Sequence, residues 1–206
     1  MTIRVHHLRI SRSTRIIWLC EELGLDYELI QHTRDPATFR SPPSLAEVHP
    51  LAKAPAVEVD GRMMVESSAI IEYLVERYGG GKLLPPYNER AAYLEWLHFA
   101  EGTLGMPMIM RLLAARLGLS AQAVGFMDAE LDKQLDWIDS QLEGREFLCG
   151  TVFTGADINL EYMLEHAEQM GLLSARPKLA HYLHQLTARP AYRKAIELGG
   201  PVTLAR

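Results

Sequence analysis

The 206 residues carry a net charge of −5 at pH 7, from 21 Lys and Arg against 26 Asp and Glu, and this acidic balance argues against a nucleic-acid partner. The hydrophobic content of 48% is typical of a globular protein, and the length suits one large or two small domains. We expect no membrane span, because no apolar run is long enough, and no signal peptide, because residues near the start lack its apolar segment. Two cysteines, Cys20 and Cys149, are too few for a disulfide framework and predict a reducing cytoplasm.

The first elements are predicted to be a strand, a helix and a second strand. Residues 3–8 alternate loosely between apolar and polar, and the serine- and threonine-rich segment 11–14 ends this strand. A helix is expected over 15–23, where the apolar residues form a stripe and Gly24 closes the last turn. Residues 26–30 form the next strand candidate. Because a strand–helix–strand connection needs a crossover, the two strands should be parallel.

A proline-led hairpin follows the polar segment 31–48, in which no pattern of strand or helix is evident. Pro55 precedes a short apolar run, a position that suits the first residue of a strand, and an X-Pro bond in a tight turn can be cis. Asp60-Gly61 is a strong hairpin signal, and residues 63–65 would form the returning strand. Ser67 is then expected to cap a helix whose apolar residues recur at helical spacing.

The start of that helix is a candidate ligand site. Backbone amides at a helix N-terminus attract anions, and Glu66 and Ser67 add a carboxylate and a hydroxyl beside them. A ligand that carries a carboxylate, an ammonium group and a peptide backbone would suit this combination.

The second half of the chain is predicted to be entirely helical. Gly79–Gly81 and Pro85-Pro86 mark a linker, which places a first domain at 1–80, the linker at 81–88 and a second domain at 89–206. The predicted helices cover 89–117 with bends near Gly102, Gly105 and Pro107, then 121–142, then a segment opened by the reciprocal cap of Thr154 and Asp157, and finally two helices that begin near Pro177 and Pro190.

Three motifs of the chain resemble those of the cytosolic glutathione S-transferase family, in its serine-type, bacterial or theta-like branch. They are His49–Val57, which matches the family's cis-proline motif, Glu66–Ile70, which matches its Glu-Ser or Gln-Ser pair, and Phe153–Ile158, which matches its second-domain capping motif. The resemblance spans essentially the whole chain. It implies the glutathione S-transferase fold: an α/β thioredoxin-like N-terminal domain in the order βαβ-α-ββα, followed by an all-α C-terminal domain.

The resemblance also implies a catalytic hydroxyl in the turn between the first strand and the first helix. The thiolate of glutathione is the nucleophile, and a hydroxyl aimed at the sulfur would stabilise it by donating a hydrogen bond. In serine-type members this serine lies four residues before the arginine that opens the helix, which selects Ser11, four before Arg15. Ser13 is the competitor, although it is better placed to cap the helix, and Ser11 could instead bond only its own backbone. No tyrosine or cysteine lies in this turn, so tyrosine-type and thiol-transfer members do not fit.

The rest of the glutathione site is expected in the proline hairpin and the helix after it. The resemblance implies that Ala54, before Pro55, pairs its backbone with the tripeptide and that the pair Glu66-Ser67 holds the γ-glutamyl end. Lys53 could meet the glycine carboxylate, or it could simply be a solvated lysine. Arg40 is another possible carboxylate partner.

The second substrate is expected against the long helix after the linker. Four residues that recur there at helical spacing could face the first domain: Glu101, Leu104, Met108 and Arg111. The alternative is that they are ordinary core and surface positions.

The cysteines and histidines indicate no further chemistry. Cys20 lies on the apolar stripe of the first helix and is interpreted as a buried small hydrophobe, and Cys149 follows a turn. His181 and His184 have a spacing that two metal ligands can use, but no acid or cysteine completes a ligand set nearby, so no metal is expected.

The prediction that follows is a cytoplasmic glutathione transferase that conjugates the glutathione thiolate to electrophilic small molecules. The resemblance implies a homodimer with a role in detoxification, glutathione as co-substrate with no separate cofactor, and a small electrophile as the other partner. One alternative is a non-catalytic glutathione-binding protein with the same fold. A glutathione-dependent isomerase or reductase is another, although the isomerase branch would need a Ser-Ser-Cys-Ser type of turn and the reductase branch a cysteine there.

Overall fold

The structure is a computed structural model that describes residues 2–203. Its contacts divide the chain into two units. The first unit holds the described residues up to Lys82 together with those from Thr187 onward, and the second unit holds Leu83–Leu186. None of the helices within residues 2–203 combines the length and the apolar character that crossing a membrane requires.

The first unit is built on a four-stranded mixed sheet. Its strands are β1 Ile3–Leu8, β2 Glu28–His32, β3 Ala56–Val59 and β4 Arg62–Val65. Their order in the sheet is β2-β1-β3-β4, with β1 and β2 parallel and the other two neighbouring pairs antiparallel. The parallel pair confirms the predicted crossover, and the antiparallel pair β3 and β4 confirms the predicted hairpin.

Three helices complete the predicted order βαβ-α-ββα: α1 Thr14–Leu23, α2 Pro43–Val48 and α3 Ser67–Tyr78. Most of α1 is buried, and Gly24 ends it in the left-handed conformation with φ of 66°, as expected of a glycine at this position. The second strand begins at Glu28, two residues later than predicted. The short helix α2 falls in the segment for which no pattern was evident, because its six residues bury only Leu45 and so show no apolar stripe.

The second unit is helical in all the regular elements that the structure describes. The long run predicted over 89–117 is divided at Thr103 and Leu104, close to the expected bends. The central helix is α7 Gly155–Gln169, which is buried on nearly all sides; the amide of its Asn159 donates to the carbonyl of Leu97 at 2.8 Å. The elements are a 3₁₀ turn at Tyr87–Glu89, α4 Arg90–Gly102, α5 Gly105–Leu117, α6 Ala121–Gln141, α7 Gly155–Gln169 and α8 Pro177–Thr187.

The last helix, α9 Pro190–Gly199, makes its contacts within the first unit, although the sequence placed it in the predicted second domain of 89–206. It packs on α1, where Trp18 and Tyr192 meet edge to face with ring centroids 5.1 Å apart. At the N-cap of α9, the Arg189 guanidinium donates two hydrogen bonds to the carboxylate of Glu22 on α1, at 2.6 and 2.9 Å. An amphipathic pattern predicts that a helix forms but not which surface it covers, so this placement was outside the reach of the sequence.

Candidate active site

The predicted catalytic turn joins β1 to α1, and a side chain from another part of the unit braces it. Ile10 has φ of 55°, which directs the chain sharply out of the strand. The guanidinium of Arg34 donates to the carbonyl of Arg9 at 3.0 Å and to that of Ile10 at 2.7 Å, and a third hydrogen bond reaches the carbonyl of Phe39. Sequence reasoning missed Arg34, because its partners are backbone atoms up to 25 residues away.

The two serines of this turn have different environments. Ser11 is 8% exposed, whereas Ser13 is fully buried, so only Ser11 is within reach of a ligand. The two hydroxyl oxygens lie 2.7 Å apart, and the backbone N–H of Ser13 donates to the Ser11 oxygen at 3.2 Å. Ser13 does not cap the helix with its side chain, which corrects the sequence interpretation: its backbone is already helical, and its hydroxyl turns back to accept the N–H of Leu8 at 3.1 Å.

Behind Ser13 lies His7, which sequence reasoning did not connect with the site. Its Nδ1 is 2.8 Å from the Ser13 oxygen, and its Nε2 is 2.8 Å from the carbonyl of Gly199 at the end of α9. The ring is fully buried, and this burial lowers the pKa of His7 below its ordinary value, with a further lowering by the charge of Arg9. The approach is close, since a Cβ at position 199 would lie 3.0 Å from the Cε1 of His7, and one of the two residues would have to shift.

The proline hairpin begins beside this turn. The Ala54–Pro55 peptide bond is cis, which confirms the expectation from the family's cis-proline motif. Because β1 and β3 are antiparallel and pair His6 with Ala56, the last residues of β1 and the first residues of β3 lie side by side at the same end of the strands. Ser11 and the Ala54–Pro55 bond therefore follow and precede neighbouring strands at one end of the unit. Pro55 is buried, Ala54 is half-buried and Lys53 is exposed, and Arg40 is exposed as well.

The start of α3 is tied to the start of α1 by a buried arginine. Arg15 is only 1% exposed, and its guanidinium donates to the Ser67 hydroxyl at 3.0 Å. Ser67 is the first residue of α3 rather than its cap, which corrects the prediction; the cap position belongs to Glu66, and no side chain caps this end. Glu66 has φ of 73°, a conformation that is strained for a residue other than glycine and that recurs at ligand-binding sites.

The segments that carry the predicted glutathione contacts thus converge in the first unit. The resulting surface offers a nearly buried hydroxyl from Ser11, a second hydroxyl from Ser67, the amides at the start of α3 and the backbone before Pro55. A hydroxyl that accepts a hydrogen bond, as that of Ser67 does from Arg15, still carries its own hydrogen and can donate it to a carboxylate. Among the described residues no three His, Cys, Asp or Glu side chains are grouped as they would be to hold a metal ion.

Neither cysteine offers a reactive thiol. Cys20 is fully buried in α1, and burial raises its pKa to about 12. Cys149 is 3% exposed, and burial raises its pKa to about 11. Both thiols therefore stay protonated and shielded, which confirms the interpretation of Cys20 as a small apolar core residue.

The four residues predicted to line an electrophile pocket lie at α4, at α5 and at the junction between these helices. Leu104 and Met108 are fully buried, Glu101 is partly buried, and Arg111 forms an ion pair with Asp128 on α6. Burial places Leu104 and Met108 in the apolar interior of the second unit. The assignment of all four to an electrophile site stays a prediction.

The fold and the converging segments define a thioredoxin-like unit with a cis-proline hairpin, joined to a helical unit. Family models match both parts: the glutathione S-transferase N-terminal domain over residues 5–82 and the glutathione S-transferase C-terminal domain over residues 115–185. Glutathione S-transferase 3 of Schizosaccharomyces pombe is 34% identical to this chain, over 95% of the chain and 87% of that relative.

Solved structures agree with these matches. A glutathione S-transferase from Actinobacillus pleuropneumoniae superposes with a TM-score of 0.88 at 30% identity, covering 96% of this chain and 92% of that one. A sphingomonad glutathione S-transferase complexed with glutathione superposes with a TM-score of 0.82 at 25% identity, covering 96% and 98%. The chain belongs to the glutathione S-transferase family, and the enzyme is a glutathione transferase.

Proposed function

We propose that this glutathione transferase is of the serine type, in which the Ser11 hydroxyl stabilises the thiolate of glutathione for attack on an electrophilic small molecule. The observation that carries the proposal is the contrast in the catalytic turn: Ser11 keeps 8% of its surface exposed, while Ser13 is fully buried and bonded inward to His7. A free thiol has a pKa of about 8.5, so lowering it by about two pH units requires about 2.7 kcal/mol of preferential stabilisation of the thiolate. One or two hydrogen bonds to a charged group supply energies of this size.

Glutathione would bind along the edge of the first unit that carries the hairpin. The backbone of Ala54, before Pro55, would pair with the peptide, and Ser67 with the amides at the start of α3 would receive the carboxylate of the γ-glutamyl end. Glu66 would take the ammonium group of that end. The exposed ammonium of Lys53 would take the glycine carboxylate.

Three further features complete the proposal. Glutathione serves as co-substrate, without a separate cofactor, and the electrophile lies near the junction of α4 and α5, against the partly exposed Glu101 and Arg111, while Leu104 and Met108 support this region from the apolar interior. The family resemblance supports a cytoplasmic homodimer that acts in detoxification, and two buried free cysteines suit a reducing compartment. Sedimentation of the purified protein at several concentrations tests the dimer.

The proposed reaction is tested by conjugation of 1-chloro-2,4-dinitrobenzene, from whose ring the thiolate displaces chloride. We expect turnover by the wild type, and a fall of kcat/KM by about a hundredfold in Ser11→Ala, because the variant lacks a hydrogen-bond donor to the developing charge. Ser140→Ala is the matched control, since its hydroxyl bonds only the Trp137 carbonyl on α6. Full activity in Ser11→Ala with loss in Ser13→Ala would move the role to Ser13. Glutathione binding without turnover of any of several electrophile classes would favour the non-catalytic binding protein.

A further inference from the structure

The three side chains Ser11, Ser13 and His7 form one continuous hydrogen-bonded row that ends on a backbone carbonyl. The oxygens of the two serines are 2.7 Å apart, Ser13 is 2.8 Å from the Nδ1 of His7, and the Nε2 of His7 is 2.8 Å from the carbonyl oxygen of Gly199. Ser13 and His7 are fully buried, so Ser11 is the only one of the three that a ligand can reach.

The end of the row determines the direction of every hydrogen bond in it. The Gly199 carbonyl can only accept, so the Nε2 of His7 carries a hydrogen, and in the neutral ring the Nδ1 is then an acceptor. The Ser13 hydroxyl donates to this Nδ1; the Leu8 carbonyl, at 3.3 Å, is a more distant acceptor for the same hydrogen. Since the hydrogen of Ser13 is engaged and its oxygen also accepts the N–H of Leu8, the hydrogen between the two serine oxygens belongs to Ser11.

This resting direction conflicts with the role of Ser11 toward a thiolate. Ser11 must turn its hydrogen to the sulfur, and Ser13 must then supply the hydrogen between the two serine oxygens, which cannot remain 2.7 Å apart without one. The Nδ1 of His7 would lose its donor and be left unpaired in the interior, which costs free energy. The cost disappears if His7 itself carries a hydrogen on Nδ1.

We propose that His7 is the proton acceptor for glutathione activation and that Ser11 and Ser13 relay the proton to it. This inference rests on the proposed function of Ser11. The S–H bond of glutathione breaks and its proton passes to the Ser11 oxygen; the Ser11 hydrogen passes to the Ser13 oxygen, and the Ser13 hydrogen to the Nδ1 of His7. Both serines end as hydroxyls, the sulfur is a thiolate and His7 is an imidazolium, so one proton has moved and charge is conserved.

The surroundings of His7 suit a base that is neutral at rest. The charged and titratable groups that act on it are Arg9, just beyond β1, and His32 on β2, and both oppose a positive charge on the ring, as does burial. Only the Gly199 carbonyl, from α9, favours the charged form. The imidazolium is therefore stable only while the thiolate is present, and after conjugation its proton returns to water along the same row. His7 does not touch the substrate, so it is a positioning and proton-holding residue.

The direct test is ¹⁵N NMR of histidine-labelled wild-type protein, with His7 assigned through backbone connectivities. On addition of glutathione at neutral pH, the Nδ1 signal of His7 should move to the protonated position in parallel with the ultraviolet absorbance of the thiolate. S-methylglutathione, which has no thiol proton, should bind without moving it. Thiolate formation with an unprotonated His7 Nδ1 would overturn the relay and leave the proposed function intact, whereas a wild type that binds no glutathione would overturn both.

A variant that keeps the hydrogen bond but not the base separates proton acceptance from packing. In His7→Asn the side-chain oxygen can accept a hydrogen bond from Ser13 but cannot hold a proton. The apparent pKa of the bound glutathione thiol should therefore rise by about one pH unit. At a pH below the wild-type pKa, this rise lowers the thiolate population about tenfold. Calorimetry in buffers of different ionisation enthalpy should show proton release to the buffer for each thiolate formed in the variant and none in the wild type. His6→Asn, on the opposite face of β1, is the matched control and should behave as wild type in both measurements. The same proton release in all three proteins would refute the relay.

Discussion

Replacing Asp157 by alanine removes an acceptor on which four hydrogen bonds converge in the second unit. The carboxylate is fully buried and accepts the N–H of Thr154 at 2.7 Å, the hydroxyl of Thr154 at 2.8 Å, the N–H of Leu148 at 3.0 Å and the hydroxyl of Tyr182 at 2.7 Å. These contacts form the capping box of α7 that the sequence predicts, and they also hold the preceding loop and α8. Burial raises the pKa of Asp157, while the four donated hydrogen bonds act against that shift.

The size of the effect follows from the donors that are left behind. The backbone amides of Leu148 and Thr154 are fixed and cannot turn to other partners. Each unpaired buried donor costs about 1–3 kcal/mol, and these two amides at about 2 kcal/mol each lead us to expect that Asp157→Ala lowers the free energy of unfolding by about 4 kcal/mol. With a urea dependence of about 2.5 kcal/mol per M, the midpoint of unfolding should fall by about 1.5 M. Because the buried carboxylate contacts the helix start and not the catalytic turn, the rate of conjugation per folded molecule should stay nearly unchanged.

Asp132→Ala provides the control within the same unit. Its carboxylate is 59% exposed and pairs with Arg176, which keeps Asp136 as a second partner, so the loss should stay below about 1 kcal/mol. Equal midpoints for the two variants would refute the structural role assigned to Asp157. A loss of rate in Asp157→Ala at wild-type stability would show instead that the residue takes part in the chemistry.

Three further predictions concern the first unit and the helix geometry. Ser67→Ala should weaken glutathione binding by about 1–3 kcal/mol in titration calorimetry, and unchanged affinity would remove Ser67 from the site. Gly199→Ala should lower the free energy of unfolding by about 1–3 kcal/mol, since its Cβ would meet the Cδ1 of Ile17 at 2.9 Å. Gly125→Ala on α6, where nothing lies within 4 Å of the added Cβ, should raise it by about 0.5–1 kcal/mol. A Gly199→Ala protein more stable than Gly125→Ala would contradict the packing. Finally, burial lowers the pKa of His6, His7 and His32, so at acidic pH the folded state binds fewer protons than the unfolded chain. The free energy of unfolding should therefore fall as the pH drops below the ordinary histidine pKa of 6.5. A urea midpoint that stays constant between pH 7 and pH 5 would contradict the lowered pKa values of these three histidines.

Features that depend on neighbouring residues were accessible from the sequence. Asp60-Gly61 predicted the hairpin, Gly24 predicted the end of α1, and Thr154 with Asp157 predicted the start of α7, because each signal acts within a few residues. The strand–helix–strand start followed from such signals and from the rule that parallel neighbours need a crossover, whereas the helix α2 was expected only from the family resemblance.

Features that depend on tertiary contacts, or on competition between several partners for one side chain, could not be predicted from the sequence. Ser13 was interpreted as a cap because serine favours that position, but His7 and Leu8 compete for its hydroxyl. The association of α9 with α1 brings Gly199 to His7, 192 residues away in the chain. Arg15 is another example, since an arginine beside a helix start is usually solvated, whereas this one is buried and bonds Ser67, 52 residues later in the chain.

The central claim, that Ser11 stabilises the glutathione thiolate, is tested most directly by ultraviolet titration of bound glutathione in wild-type protein and in Ser11→Ala. We expect the wild type to show an apparent thiol pKa well below the free value of about 8.5, and Ser11→Ala to raise it by about 1–2 pH units while binding S-methylglutathione nearly as well. Identical titration curves for the two proteins, with a raised pKa in Ser13→Ala alone, would contradict the claim.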